Sequence, residues 1–204
     1  MADPHRIDSA ETLRAIYGQA SPIAQVKVWS RIEPSARDFI ARAPFAVMAT
    51  ADADGNLDVS PKGDAAGFVA VEDERTLLIP DRRGNKLVFG LQNILANPHV
   101  GLIFMIPGTN ETLRVNGRAE LTRDPVLCAR LAARGQPALL VVRVTVDECF
   151  FHCPKAFLRA SLWKPETWPA YRVSFGEIFA AQLGGDAATA RQIDDALERD
   201  AQNL

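Results

Sequence analysis

Short apolar runs that follow one another through turn sequences are the feature that most constrains the fold of this chain. The first run, at residues 45–50, is followed by Asp54-Gly55, a strong hairpin signal, and by a return run at residues 57–60. Turns rather than regular helical crossovers separate most of the runs, so the sequence predicts a mainly β fold, an antiparallel barrel of six or seven strands with peripheral helices. The further runs occupy residues 68–71, 76–79, 100–106, 112–121 and 139–146.

Helical spacing and capping signals predict the remaining elements and a division of the chain into three parts. An N-terminal extension, residues 1–33, is expected to pack on the body through its apolar side chains. The barrel domain is expected at 34–183 and a C-terminal amphipathic helix within 184–204. Ser174 and Glu177 form a capping box that opens a helix before the final one. Other predicted helices lie at residues 9–17, 34–43, 87–96, 155–163 and 186–202, with a short one after Asp124-Pro125.

Composition excludes several classes of protein. Of the 204 residues, 48% are hydrophobic and 24% charged, which is an ordinary globular balance. The net charge of −2 and the lack of a basic block argue against nucleic acid as a partner. Apolar stretches fall short of the roughly 18 residues that a membrane span needs. Three cysteines without a pairing framework and an N-terminus without signal-peptide features predict a cytoplasmic protein.

The common catalytic and nucleotide-binding motifs are absent from the sequence. There is no GxGxxG opening a helix after a strand, no GxxxxGK[ST] and no GxSxG. His152-Cys153 is the one close pair of potential metal ligands, so no metal site is predicted. Cys149 and Cys153 are better explained as small packing residues than as nucleophiles, and no catalytic residue is named.

Two clusters combine cations with glycine in a way that suits an anion. Ser60-Pro61-Lys62-Gly63-Asp64 follows an alternating run, and PDRRGNK, residues 80–86, opens a predicted helix. Backbone N–H groups at a helix start favour anions, and Arg82, Arg83 and Lys86 add charge. A solvated turn explains the second cluster equally well. A third group, on the polar side of one predicted strand, faces either water or a ligand: Thr112, Arg114, Asn116 and Arg118.

The order of these motifs resembles the pyridoxamine 5'-phosphate oxidase-related, FMN-binding family of split-barrel flavoproteins. The matching segments, within about residues 40–165, read LDVSPKGD, TLLIPDRRGNK, NILANPHVGLIF, ETLRVNGRAEL and FFHCPKAFLRASLW. Any one segment is weak evidence, whereas the combination in this order is specific. The resemblance implies an FMN-binding split β-barrel that forms a homodimer, with flavin sites shared at the subunit interface.

The resemblance also implies which residues bind FMN. Ser60, Pro61, Lys62 and Gly63 would run beside the isoalloxazine ring, with Lys62 stabilising negative charge on the reduced ring. The stretch with Arg82, Asn85 and Lys86 would hold the phosphate. Thr112 and Arg114 match the strand on which the oxidases place a glutamine and an arginine near the cofactor. The residues that lie where the partner subunit closes the site are Trp163, which is also expected to bind the cofactor, and His152 and Lys155.

The implied activity is that of an FMN-dependent oxidoreductase. It would transfer hydride or electrons between a reduced nicotinamide or oxygen and a small molecule that the sequence does not identify. The chain lacks the arginine-rich ending and the Tyr-Thr-Asn-Tyr-like segment of true pyridoxamine phosphate oxidases, so that reaction is not expected. Two alternatives stay open: a non-catalytic flavin or heme carrier or sensor, and a deazaflavin-dependent reductase on the same barrel.

Overall fold

The computed structural model describes residue 3, residues 5–84 and residues 86–202, with the backbone alone described at residue 25. The chain divides into two compact units, Met1–Leu158 and Arg159–Leu204. The second unit therefore begins earlier than residue 184, where the sequence placed the boundary. None of the described helices is both long and apolar enough to cross a bilayer.

The described part of the first unit is built on one seven-stranded antiparallel sheet, ordered β2-β1-β5-β6-β7-β4-β3. The order confirms the predicted antiparallel fold of six or seven strands, and the sheet is open rather than closed, as in a split barrel. The strands are β1 Phe45–Ala51, β2 Leu57–Gly63, β3 Ala70–Val71, β4 Thr76–Asp81, β5 His99–Met105, β6 Thr112–Thr122 and β7 Leu140–His152.

Six short helices begin among the described residues of this unit. Helix α3 packs Phe39 and Ile40 into the core, as predicted, and α4 packs against β1, β2 and β6. Helix α4 begins two residues later than predicted because Lys86 and Val88 adopt left-handed backbone angles, with φ of 63° and 51°. The bounds are α1 Ala10–Tyr17, α2 Pro22–Val26, α3 Pro34–Arg42, α4 Phe89–Ala96, α5 Pro125–Arg130 and α6 Lys155–Ala160.

The core fills one face of the sheet, which we call the core face. Alternate residues of β1, β5 and β6 are fully buried there, including Met48, Phe104 and Leu113. A smaller apolar group lies under α5 against Leu78 and Val141. The opposite, outer face carries the intervening residues. Because side chains alternate along a strand, this parity decides where each candidate side chain of the site lies.

The N-terminal extension is joined to the sheet at its end. The backbone of Trp29 pairs with that of Cys149, and its ring packs edge-on against Phe151. The other apolar residues that were expected to pack are exposed: Ile7, Leu13, Ile16, Ile23 and Val26.

In the second unit, the described chain forms two α-helices, α7 Phe175–Leu183 and α8 Ala187–Ala201, after a 3-10 turn at Pro165–Thr167. Ser174 caps α7 by accepting a hydrogen bond from the backbone N–H of Glu177, as the capping box predicted. Gly184 ends α7 in the left-handed conformation, and Gly176 fits closely against α8.

Candidate functional site

The SPKG stretch forms the end of β2, which is an edge strand paired with β1 alone among the described strands. Proline has no N–H and is found in sheets mainly on edge strands, which fits Pro61 here. Ser60 and Lys62 lie on the core face, half-buried, whereas Pro61 and Gly63 are exposed on the outer face. The four predicted ring-side residues are therefore divided between two faces of the same strand.

Ion pairs connect the end of β2 to the end of β4, although these strands are not neighbours in the sheet. The Nζ atom of Lys62 lies 3.5 Å from Oδ1 of Asp81, and Nε of Arg82 lies 3.0 Å from Oδ2 of Asp64. We call these four residues the β2–β4 cluster. It spans the opening of the split barrel with side-chain contacts where no backbone ladder exists among the described residues.

Asp64 is the most buried member of the β2–β4 cluster, with 7% of its side chain exposed. Burial by itself raises the pKa of this carboxyl. This effect is outweighed by a hydrogen bond from the Ala65 N–H and by the positive charges of Arg82 and of the more distant Arg134. The pKa of Asp64 is therefore lowered from its usual value. The carboxylate stays charged and holds the Arg82 guanidinium in place.

The guanidinium of Arg82 has a buried nitrogen that is left without a partner in the described part of the chain. Its Nη1 is buried and has no hydrogen-bond partner among the described residues, while 26% of the whole side chain is exposed. An unpaired buried donor is costly, so such an atom in a folded protein calls for a ligand or an ion. Lys86, in the same loop, is exposed, and the predicted phosphate contact Asn85 lies outside the described residues.

A second group of candidates lies on the outer face of β6 and β7. The register of these strands pairs Thr112 with His152, and Arg114 with Phe150. Thr112 is buried, with 7% exposed, although it lies on the outer face. The Arg114 Nε donates to the side-chain oxygen of Asn116, 3.2 Å away.

Lys27, from the N-terminal extension, belongs to this second group, and no motif in the sequence indicates it. Its Nζ lies 5.3 Å from the centroid of the Phe150 ring, and Cζ of Arg114 lies 5.7 Å from the same centroid. The ring of His152 is 5.1 Å from that of Phe150. Burial, then Lys27 and then Arg114 lower the pKa of His152, so the imidazole is neutral at pH 7.

The two groups are separated within one subunit. The strand register defines one row of side chains across four adjacent strands on the outer face: Pro61, Val47, Ile103 and Arg114. Three strand spacings of about 4.8 Å place Pro61 and Arg114 roughly 14 Å apart. Lys62 and Arg82 belong to the β2–β4 cluster at the open edge, so one chain does not bring all predicted cofactor residues together.

Two further predicted site residues are Lys155, near the end of the first unit, and Trp163, in the second unit. Lys155 begins α6 and is exposed. Trp163 is a half-buried residue of the second unit, whereas the remaining candidates belong to the first.

The cysteines do not form a reactive centre. Burial raises the pKa of the Cys149 thiol to about 11, and Cys128 is also buried. Cys153 is exposed. Within the described part of the chain, no group of three or more His, Cys, Asp or Glu side chains is placed to hold a metal ion.

An open groove of about 630 Å³ lies elsewhere in the first unit, beside the start of α3. Its lining is charged with both signs, including Arg31, Glu33 and Asp38, and none of the candidate residues contributes to it. The candidate site is therefore a surface formed by the sheet rather than this groove.

Solved structures with similar folds were found, whereas a search of curated proteins finds no match. HupZ of Group A Streptococcus is 20% identical, with a TM-score of 0.49, over 59% of this chain and 93% of that one. A Lactobacillus delbrueckii protein, proposed as a pyridoxamine 5'-phosphate oxidase, is 26% identical, with a TM-score of 0.46, over 60% and 95%. An FMN-binding protein of Syntrophomonas wolfei is 10% identical, with a TM-score of 0.47, over 58% and 84%.

The sequence itself gives the family. The pyridoxamine 5'-phosphate oxidase family matches residues 32–153, which run from two residues before α3 through the whole sheet and just past the end of β7. The match covers more than half of the chain and includes both groups of candidate residues except Lys27, Lys155 and Trp163. The chain therefore belongs to the pyridoxamine 5'-phosphate oxidase family of flavin-binding split-barrel proteins.

Proposed function

We propose that the protein is an FMN-dependent oxidoreductase that acts as a homodimer with shared flavin sites. The observation that carries the proposal is the unpartnered buried Nη1 of Arg82 at the open edge of the barrel, in a chain of this family. Bound FMN would supply the hydride or electron transfer, so the protein residues need only bind, orient and tune it.

The phosphate of FMN is assigned to the loop after β4. The Arg82 Nε is engaged by Asp64, which fixes the guanidinium and leaves Nη1 to donate to an anionic oxygen. Lys86 adds a second positive charge from an exposed position in the loop. Left-handed backbone angles at Lys86 and Val88 are the kind of local strain that binding loops retain.

The flavin ring is assigned to the end of β2. Its open strand edge offers backbone groups without a ladder partner in the described structure, and Pro61 adds an exposed apolar surface. Lys62 is kept in position by Asp81 and would supply a positive charge to the ring side of the site. Its side chain is 20% exposed, so it does not extend into bulk solvent.

Two observations support the homodimer: the separation of the two groups and the apolar outer face. Leu57 and Val59 of β2 are 76% and 62% exposed, and Ile103 of β5 is 39% exposed. Covering such a face stabilises association by the hydrophobic effect. A second copy packed there could add its Thr112 and Arg114 to the Arg82 side of the first, which supports a shared site.

Flavin binding by the purified protein tests the proposal. We expect a yellow protein with absorption bands near roughly 370 and 450 nm. In the double variant Arg82→Ala, Lys86→Ala, the Kd for FMN should rise about 30-fold or more, since charge-assisted contacts to the phosphate are lost. The single variant Lys86→Ala should give part of this effect while leaving the Arg82–Asp64 pair intact.

The control is the double variant Arg123→Ala, Lys164→Ala, which removes the same charge from exposed positions outside the loop. It should bind FMN as the unchanged protein does. Light scattering on the same samples should give a dimer in every case. A colourless protein that takes up no FMN would refute flavin binding, and a monomer at micromolar concentration would refute the shared site.

Two further measurements separate the oxidoreductase from the alternatives. Bound flavin should be reduced by NADH or NADPH and reoxidised by oxygen, whereas a carrier or sensor would do neither. A mass spectrum of the released cofactor distinguishes FMN from a deazaflavin or a heme.

A further inference from the structure

We propose that α7 and α8, which we call the helical hairpin, pair with the helical hairpin of a second copy of the chain to form an antiparallel four-helix bundle. The surface that carries the proposal is an apolar stripe on α7, defined by Phe175, Ile178, Phe179 and Leu183. The hairpin lies outside residues 32–153, which the family matches. The inference therefore goes beyond the proposed function and does not require flavin to bind.

The helical hairpin buries its small residues and exposes its large ones. The buried residues of its two helices are Gly176, Ala180 and Ala190. A Cβ atom at Gly176 would collide with the backbone oxygen of Ala190, and the Gly176 N–H donates to Oδ1 of Asp194 over 2.8 Å. The two helices thus approach too closely here for a larger side chain. The apolar stripe cannot turn into this contact and needs another partner.

The apolar stripe is one continuous face of α7. At about 100° per residue, its four members fall within roughly 140° of the helix circumference, and Glu177 lies on the opposite side. Phe175, Ile178, Phe179 and Leu183 are 51%, 44%, 39% and 75% exposed. The rings of Phe175 and Phe179 stack with their centroids 5.9 Å apart. The stripe contains no charged residue, so the same stripe on a second copy is not repelled.

The length of the helices also indicates that the apolar stripe is covered. Helix α7 has nine residues and α8 has fifteen. Isolated helices shorter than about 12–15 residues are marginal in water, so most of their stability comes from packing an apolar face. Two helices whose buried residues are one glycine and two alanines gain little from each other. We therefore expect the large apolar side chains to supply the missing contact.

The size of the apolar stripe fits a second copy. Leu197 of α8, which is 41% exposed, adds a fifth large side chain to the four of the stripe. If each offers about 200 Å² when fully exposed, the five present roughly 500 Å². Two copies would remove roughly 1,000 Å² from water through these side chains alone. This area is close to the 1,200 Å², approximately, at which specific interfaces begin, before any polar rim is counted.

The order of residues along the apolar stripe fits a two-fold axis. In an antiparallel pair of α7 helices centred on Phe179, Phe175 of one copy meets the partner subunit's Leu183. A two-fold interface requires a self-complementary surface of this kind. The antiparallel arrangement also brings opposite ends of the helix dipoles together. Pairing between the same two copies that share the flavin sites closes the assembly at a dimer, whereas exchange with different copies would extend it.

Chemical cross-linking tests the pairing directly. Both variants carry Cys153→Ser, which removes the exposed native thiol. With Phe179→Cys, a short bismaleimide should join two chains, because the two-fold axis places the two introduced thiols side by side. The control is Asp195→Cys, an exposed position of α8 that lies two residues, or about 200° around the helix, from both Ile193 and Leu197. It should stay unlinked.

Sedimentation over a range of concentrations measures how much the pairing contributes to association. Phe179→Glu should raise the Kd of association at least about 10-fold, because it places a charge in an apolar interface. Ala181→Glu adds the same charge at an exposed position about 200° around α7 from Phe179, and it should leave the Kd unchanged. Far-UV circular dichroism shows whether both variants keep their helices.

Three results would overturn the proposal: no covalent dimer from Phe179→Cys, equal yields from the two cysteine positions, or an unchanged Kd in Phe179→Glu. A stripe covered by a different protein, or by another part of the same chain, gives the first of these results in the purified protein. The proposed function fails separately. A chain that takes up no FMN and associates through its hairpins alone would still give the covalent dimer, and its Phe179→Glu variant would be a monomer.

Discussion

Replacing Arg82 by methionine tests whether the β2–β4 cluster stabilises the split barrel. The change removes the ion pair with Asp64, 3.0 Å long, and leaves a carboxylate that is 7% exposed with only distant Arg134 as a cation. Losing one partner of a fully buried pair costs about 3–5 kcal/mol, and an exposed pair contributes about 0.2–1 kcal/mol. Arg82 is 26% exposed, so we expect about 2 kcal/mol at pH 7.

The effect should depend on pH with a definite sign. The pKa of Asp64 is lowered from 3.8, so its contribution to stability is present above that value and is lost as the pH falls through the lowered pKa. In Arg82→Met, fewer favourable contacts oppose the effect of burial, which raises the pKa of Asp64. The Asp64 carboxyl therefore contributes less to stability. The destabilisation should therefore be largest near neutral pH and should shrink as the pH falls through the lowered pKa of Asp64, below which this carboxyl is protonated in both proteins.

The assay is unfolding by urea from pH 7 down to the lowest pH at which both proteins fold. At pH 7 the midpoint temperature of thermal unfolding, Tm, should fall by about 4–8 °C. The control Arg83→Met removes a neighbouring exposed cation. It should leave the free energy of unfolding in urea and the Tm unchanged. Equal stability of Arg82→Met and the unchanged protein, or a loss of stability that is the same at every pH, would refute the reasoning.

Two further predictions concern the sheet and its cysteines. Gly117→Ala would place a methyl group against the backbone oxygen of Thr145 at the β6–β7 bulge, so we expect a loss of about 2–4 kcal/mol in urea unfolding; an unchanged midpoint would show that the bulge can relax. With a thiol reagent at pH 8, Cys153 should react quickly, while Cys149, whose pKa is raised to about 11, should react only on unfolding. Rapid reaction of a second thiol in the folded protein would contradict the burial of Cys128 or Cys149.

The sequence predicted the strands well because their signals are local. Alternation and turns placed the start of β1, β2, β4 and β6 correctly, and the capping box placed α7. The last strand is longer than predicted: β7 continues to His152, because Cys149 and Phe151 pack inward and pair with β6. Glu148 and the bulge at Asn116/Gly117 hid that continuation, since they interrupt the alternation on which the prediction rested.

The site was less accessible to sequence reasoning because its contacts are long-range. The pairs Lys62–Asp81 and Asp64–Arg82 depend on how far the sheet curves, which no local pattern encodes. Lys27 lies more than eighty positions before Arg114, in an extension without a motif, and only the pairing of Trp29 with β7 brings it there. The assignments of Thr112 and Arg114 to the cofactor stay predictions.

Pro61 has a consequence for how this protein avoids aggregation. An edge strand with unpaired backbone groups is a template on which another chain can extend the sheet, and β2 carries such an edge beside exposed Leu57 and Val59. A proline near the middle of β2 interrupts the row of donors that an incoming strand would need. Runaway growth of a continuous intermolecular sheet is thereby discouraged at this edge, while side-chain packing with one specific neighbour stays open.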